Sequence, residues 1–213
     1  ARLGDAGQHD LVEDLHARYG DGFEAAWDKA LAAVRETQNE VLTYEGALID
    51  AVYFSCSGGS TEDAAAVWGT DVPYLQSVES PGEEIAPRFS SQEIFAPAEF
   101  SEILRAENPD VHLTGSPETW VGETAYTEGG SVETCVIGGI AFSGTKLRQL
   151  FGLNSARFTL MLKDGQFVFD VQGFGHRVGM SQYGAESMAR LGFSYRTILL
   201  YYYQGAEIGR YEA

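Results

Sequence analysis

One histidine of this chain sits where chemistry is easily built. His176 lies in Gly173-Phe174-Gly175-His176-Arg177-Val178-Gly179, bracketed by three glycines. Glycine serves where the backbone must take a positive φ or where another group must approach it closely. Just downstream, Ser181 is placed to cap a short helix that would fix Gln182 and Tyr183 beside the imidazole. An imidazole, an amide and a phenol on one rim are donors and acceptors suited to a neutral, hydroxyl-rich ligand. A second loop of the same character, Ser55-Cys56-Ser57-Gly58-Gly59-Ser60-Thr61, follows a β-rich run. At Ser57, Gly58 and Gly59 its backbone could meet a ligand across a groove from the first loop. The structural alternative stays open: a glycine-rich connection whose histidine only hydrogen-bonds the backbone. Cys56 invites a nucleophile reading with His176 as its base, but the sequence brings no base to it, and a structural thiol is the expected role.

The elements that would hold these loops can be read from the pattern. Arg157–Lys163 and Gln166–Val171 flank Asp164-Gly165, the signature of a two-residue hairpin turn. His176 is therefore expected on a tight loop between a strand's end and a helix's start. That helix would present Tyr183, Met188 and Leu191 near one side and stop at Gly192. A further cap at Ser194 leads into Thr197–Gln204, where Tyr201, Tyr202 and Tyr203 circle the helix; one or two should bury and another meet solvent or a sugar face. Upstream, Phe23–Thr37 is the clearest helix, with Trp27, Leu31 and Val34 along one face. Asp10–Tyr19 has helical character, and His9 and His16 read as solvated. Val41–Tyr44 and Ala47–Phe54 form a hairpin around Glu45-Gly46, and Thr61 is a candidate cap for a turn through Ala64–Val67. Ser80–Pro87, with Glu83 and Glu84, reads as a solvated acidic loop. Phe89–Phe95 suits a short strand. Pro97 opens a helix to about Glu107, Gly115–Gly130 is turn-rich around Trp120, Val132–Ile137 is a β run, and Ser143 caps a helix through Leu147 and Leu150. The expected fold is a single α+β unit, a mostly antiparallel sheet with several short flanking helices.

Composition narrows the partners. The formal charge of −17, from 31 acidic against 14 basic side chains, argues against nucleic acid or an anionic membrane surface. Two cysteines, Cys56 and Cys135, are too few for a disulfide scaffold or for a metal site. They could form one bridge in an oxidising compartment or remain two buried thiols. No cofactor is expected, and no apolar run approaches membrane-spanning length.

The run Gly175-His176-Arg177-Val178-Gly179-Met180-Ser181-Gln182-Tyr183-Gly184-Ala185, followed by Met188-Ala189, Gly192, Ile198-Leu199 and Tyr202-Tyr203, resembles the signature of the sporulation stage II protein D (SpoIID)/LytB family. Ala51–Thr61, Val67-Trp68 and Pro73-Tyr74-Leu75 resemble its middle motif, and Gly144, Leu147-Arg148 and Leu153-Asn154-Ser155 fall in family order. The likeness covers roughly residue 25 to the end. Two positions depart from it. Arg177 stands where the family usually has glycine, so that its side chain should point to solvent or narrow the groove, and Cys56 stands where serine is common. The resemblance implies an extracytoplasmic protein, membrane-anchored or secreted, acting on peptidoglycan glycan strands. Its reaction would be lytic transglycosylation, with a glutamic acid protonating the glycosidic oxygen while the sugar's C6 hydroxyl closes a 1,6-anhydro ring. The alternative it implies is a non-catalytic wall-binding module that enhances a cell-wall amidase. The family's glutamate lies in an Ala-Glu-Met-Pro-like motif of an N-terminal segment. Nothing in Ala1–Tyr19 matches that motif, and Glu13 and Asp14 lie in the wrong context. The expectation is that the chain starts just after that segment, and the catalytic residue is left unassigned. The expected glycan-binding set is Ser57, Gly58, Gly59, His176, Ser181, Gln182 and Tyr183.

Overall fold

The computed structural model describes residues 16–17 and 19–211. His9, Glu13, Asp14 and most of the helix expected at Asp10–Tyr19 lie outside them. The chain divides into two compact units, residues 1–41 with 208–213, and residues 42–207. In the first, helix α1 (Phe23–Glu36) forms where the apolar periodicity places it, and Phe23 is its buried residue, stacked on His16 at 3.6 Å between ring centroids.

Most of the remaining elements lie in the second unit. β1 (Glu40–Tyr44) turns through Glu45-Gly46 into β2 (Ala47–Leu48), pairing Thr43 with Leu48. The sequence suggests one strand from Ala47 to Phe54. Instead the chain bends at Asp50 and resumes as β3 (Tyr53–Phe54). The two pieces have different partners, β1 for the first and the Met180–Ser181 segment for the second, so one straight strand could not serve both. α2 (Ala64–Trp68) follows, without the expected Thr61 cap. Asp63 holds the N-cap position, and both side chains are drawn off to a neighbouring segment: the Val78 amide donates to Thr61 Oγ1 (2.8 Å) and the Ser77 amide to Asp63 Oδ1 (2.6 Å).

Next come β4 (Ser90–Phe95), α3 (Pro97–Glu107), β5 (Val121–Tyr126), β6 (Val132–Ile137), β7 (Ile140–Ser143), α4 (Gly144–Phe151), β8 (Phe158–Lys163) and β9 (Gln166–Gln172). Pro97 opens α3, and Ser143 caps α4 by accepting from the Lys146 amide. The stretch read as turn-rich contains β5. Its turn formers Gly115 and Gly130 stand at the ends, and pairing with β6 overrides the local composition, at the cost of register shifts along the pair. The Asp164-Gly165 turn has φ of +51° and +77°, the double left-handed geometry that Asp-Gly favours and that joins β8 to β9 with Lys163 opposite Gln166.

Two antiparallel sheets result, in the orders β4-β9-β8 and β5-β6-β7. Between them and α3 and α4 lies an aromatic core. Phe100 stacks on Phe167 at 3.9 Å and on Phe151 at 5.1 Å, and Trp120 lies over Phe167 at 5.7 Å. Offset rings of this kind add to the stabilisation that their buried area supplies.

β10 (Met180–Ser181), α5 (Gln182–Arg190), α6 (Tyr195–Tyr202) and β11 (Glu207–Arg210) complete the chain. Ser181 and Ser194 cap α5 and α6, accepting from the Gly184 and Thr197 amides. Leu191, expected on the inner side of α5, is 76% exposed because the helix ends one residue earlier. Tyr202 and Tyr203 are buried in a second apolar cluster with Leu75, Val178 and Ile198, while Tyr201 stays partly exposed. The architecture is α+β with mostly antiparallel strands and short flanking helices, and β3 pairs with β10 in parallel. Among the described residues no helix is long and apolar enough to cross a membrane.

Candidate functional site

The two glycine loops of the sequence do meet. β3 and β10 run parallel, Tyr53 beside Met180 and Phe54 beside Ser181, and bridges at Cys56–Phe174 and Glu62–Val178 continue the contact on either side. At the crossing the loops touch backbone to backbone. A Cβ on Gly173 would lie 2.6 Å from the Ser57 carbonyl oxygen, and one on Gly58 would lie 2.9 Å from Gln172 Cβ, so both positions require glycine. The groove expected between the Ser57-Gly58-Gly59 loop and the histidine loop is closed by this contact.

Three buried charges lock the crossing. Arg177, 1% exposed, is not turned to solvent and does not line a groove, as the sequence suggested. Its guanidinium points inward, and its five N–H groups meet five acceptors. Nε donates to the Ser57 carbonyl (2.7 Å), Nη1 to Glu62 Oε1 (3.2 Å) and to Ser131 Oγ, and Nη2 to the carbonyls of Ser60 and Gly129 (2.7 Å each). Burial lowers its pKa to about 10, with the Glu62 charge pulling the other way, so it stays cationic at neutral pH. Its φ of +68° explains why a glycine suits this place; here the five bonds hold a bulky residue in the left-handed region.

Glu83 corrects the reading of Ser80–Pro87 as a solvated loop. Its carboxylate is fully buried, and Oε2 accepts from the Ser57 amide (2.7 Å), Ser57 Oγ (2.7 Å) and the Gly58 amide (2.9 Å). Oε1 accepts from Ser80 Oγ, which also bonds Tyr202 OH at 2.6 Å. Gly184 of α5 lets this network close, since a Cβ there would meet Tyr202 OH and Ser80 Oγ. An acidic side chain three residues from a serine, after a proline-glycine pair, is a weak signal; only the facing amides of Ser57 and Gly58 give it meaning.

The expected binding residues therefore fall into two groups. Ser57, Gly58 and Ser181 are buried and already bonded within the protein: Ser57 to Glu83, and Ser181 to the Gly184 amide and the Ser55 carbonyl. Gly59, His176 and Tyr183 are partly exposed and Gln182 is exposed. The Val178 amide donates to His176 Nδ1 (3.2 Å), which places the neutral ring's proton on Nε2. The ring sits between Phe54 and Trp68, centroids 5.6 and 5.4 Å away. Burial holds its pKa below the usual histidine range, a hydrogen bond with the Tyr53 backbone works against this, and the Arg148 charge lowers it further. Cys56 is fully buried, donates to the Arg88 carbonyl at 3.6 Å, and has its pKa raised by burial and then by Glu83. A protonated, inaccessible thiol is no nucleophile, and Cys135 is likewise buried and free.

Other family-like residues converge here. The Asn154 carbonyl accepts from the Gly175 amide (3.0 Å), Ser155 Oγ from the Arg157 amide (3.0 Å), and the Leu75 carbonyl from the Ala64 amide (3.0 Å). Beside the crossing lie three surface cavities. One of about 600 Å³ spreads over β4, β9 and β8, with Gln92, Tyr126, Thr159 and Asp170 on its walls. One of about 630 Å³ reaches Gly59, Ser60, Gln76 and Glu79. Arg157 lines both, its Nη1 donating to Ser60 Oγ at 3.0 Å. The third, of about 270 Å³, has Gly175 and His176 in its wall. Gln182 and Tyr183 line none of these three.

No protein-family model matches the chain. It is 40% identical over 201 residues to the stage II sporulation protein D of Bacillus subtilis (strain 168), which is 94% of this chain and 57% of that protein. The chain belongs to the SpoIID/LytB family. The stage II sporulation protein D of Bacillus amyloliquefaciens is 40% identical over 195 residues, 91% of this chain and 55% of the relative. The amidase enhancer of Bacillus subtilis is 27% identical over 232 residues, 84% and 32%. The chain thus spans little more than half the length of the stage II relatives. The Arg177 lock and the buried Glu83 network are features of the crossing that the sequence left unread.

Proposed function

We propose that this protein works on the cell wall during sporulation, gripping peptidoglycan glycan strands and, in the intact protein, cleaving them by lytic transglycosylation outside the cytoplasm. The observation that carries the reading is the pair of surface cavities joined at Arg157, in a chain related to proteins named for stage II of sporulation. Together they offer amide, hydroxyl and guanidinium groups and the half-exposed Tyr126 ring, a mixture suited to sugar hydroxyls and ring faces. In the proposed chemistry a carboxylic acid protonates the glycosidic oxygen as the C–O bond breaks. The same group, now a carboxylate, takes the proton of the C6 hydroxyl as it closes on the anomeric carbon. One carboxyl group suffices, unlike the pair that glycoside hydrolysis requires. The buried carboxylates of the crossing are not this acid, because Glu62 and Glu83 are committed to Arg177 and to the Ser57-Gly58 amides.

Those commitments, with the similarity to an amidase enhancer, favour a second reading, a wall-binding module that assists an amidase. Muropeptide analysis by mass spectrometry separates the two. Anhydro ends generated by the intact protein support cleavage. Wall binding with unchanged glycan ends and faster amidase release of stem peptides supports the module. Failure to bind purified wall overturns both.

A further inference from the structure

The turn that joins α5 to α6 takes no part in the crossing. From Ala189 to Thr197 every residue is exposed. Leu191, at 76%, is the most exposed large apolar side chain among the described residues, and Phe193 and Tyr195 follow at 48% and 42%. The backbone beneath them is fixed. Gly192 takes a φ of +91°, and the Leu191 amide donates to the carbonyls of Ser187 (3.2 Å) and Met188 (3.1 Å). The Phe193 amide donates to the Met188 carbonyl (3.1 Å), and Ser194 Oγ accepts from the Thr197 amide (3.2 Å). An apolar cluster held out to solvent in this way marks a contact surface.

Its charge narrows the partner. Residues 182–204 carry Arg190 and Arg196 against Glu186 alone, in a chain of formal charge −17. Arg196 lies over the Tyr195 ring at 5.3 Å, and Arg190 bonds Glu186 at 2.6 Å on the open surface. On the 83–85 turn packed against α5, Glu83 is buried and Glu84 exposed. Elsewhere exposed apolar side chains stand among acids: Trp27 before Asp28, Ile94 after Glu93, Leu48 near Asp50. Carboxylates farther off than the Debye length, about 8 Å in physiological salt, are largely screened from the turn. The whole-chain charge that argues against an anionic surface therefore does not govern this one spot.

A groove on another protein would ask for apolar residues along one helical face, three and four apart. Here they alternate at 191, 193 and 195 through a turn, with Gly192 and Ser194 between, and form a tip. A second copy would bring its own arginines against these. A bilayer surface accepts such a tip. Leucine and phenylalanine enter below the headgroups, while tyrosine and arginine sit at headgroup level, where anionic lipids attract the guanidinium. We propose that the α5–α6 turn is a membrane-contact tip that inserts Leu191 and Phe193 into a bilayer bearing anionic lipids. This contact is independent of the glycan reading above.

The test is flotation of the 213-residue chain with vesicles of phosphatidylglycerol and phosphatidylcholine in equal parts, and with phosphatidylcholine alone. Partition onto the anionic vesicles should exceed that onto the neutral ones by roughly tenfold or more. A nitroxide-labelled lipid should broaden the Leu191 methyl and Phe193 amide resonances. Leu191→Ser with Phe193→Ser should lower the partition roughly tenfold or more in a protein of unchanged circular dichroism. Val34→Ser with Leu48→Ser removes two side chains of comparable exposure, 67% and 61%, and should leave it as it was. Arg190→Gln with Arg196→Gln should erase the preference for anionic vesicles. Absence of partition onto either vesicle, equal partition onto both, or undiminished partition of the serine tip variant overturns the proposal. So does a dimer of the parent chain that the tip variant abolishes while no vesicle binds, which gives the tip to a second copy. Purified wall should bind the tip variant as it binds the parent, so the proposed function stands or falls separately.

Discussion

The molecule stabilises its two busiest regions by opposite means. Under β4-β9-β8 and β5-β6-β7, Phe100, Phe151, Phe167 and Phe169 fill space with rings and need only shape. At the loop crossing, Arg177, Glu62 and Glu83 are as deeply buried but hold position through charge and counted hydrogen bonds. Apolar packing degrades by degrees, because a smaller side chain still fills part of the space. A buried ionic junction fails abruptly, because removing one member leaves the other charged and dry. The site is built beside the second kind of structure, so its geometry is either right or absent.

The sharpest way to break this contrast is Arg177→Ala. It strands the Glu62 carboxylate and the carbonyls of Ser57, Ser60 and Gly129, and should cost about 3–5 kcal/mol in urea unfolding. Arg177→Lys should recover little, since three donors on a flexible stem cannot replace a five-donor fork. Phe100→Ala should cost about as much, 3–5 kcal/mol, yet Phe100→Leu should regain over half of it by partial refilling. A lysine rescue as complete as the leucine rescue would erase the distinction. Glu83→Gln keeps the shape and trades charged for neutral acceptance at Ser57 and Gly58; a loss of about 1–2 kcal/mol in the same assay is expected.

His176→Ala sharpens the comparison from the site's side. The protein should stay folded by circular dichroism while glycan binding weakens roughly 5- to 150-fold, the equivalent of about 1–3 kcal/mol. A fall in melting temperature with binding reduced only in proportion would reassign the residue to the scaffold. A further effect is alkaline. Tyr202 and Tyr203 have pKa values pushed up to about 12 by burial, against 10 when exposed. The unfolded chain then releases their protons first, so stability present below pH 10 should decline between about pH 10 and 12. Tyr203→Phe should flatten the decline, read as melting temperature against pH.

Much of the scaffold was legible because its signals are local. The Asp164-Gly165 turn, the serine caps at 143, 181 and 194, and Pro97 at a helix start each act through neighbours within four residues. The glycines at 58, 173, 175 and 179 correctly marked a close approach, though what approaches is the other loop or the strand leading into it. What could not be read depends on distant partners. Glu83 resembles any surface acid until Ser57 and Gly58 face it, Arg177 resembles an intruder in a glycine position until five acceptors surround it, and β5 hides in a turn-rich stretch until β6 pairs with it. Ser57 and Ser181 have ligand-like chemistry, but the fold engages them first.

The separation of Arg177 from Ser57 by 120 positions bears on how the protein forms. Closing a loop of that length carries a large entropy cost before any reward arrives, whereas the β8-β9 hairpin and the capped helices can assemble early from local contacts. The crossing is then the last region to set during refolding. Pulse-labelled amide exchange should find the Ser57, Gly58 and Glu62 amides protected later than those of Leu160 and Phe169.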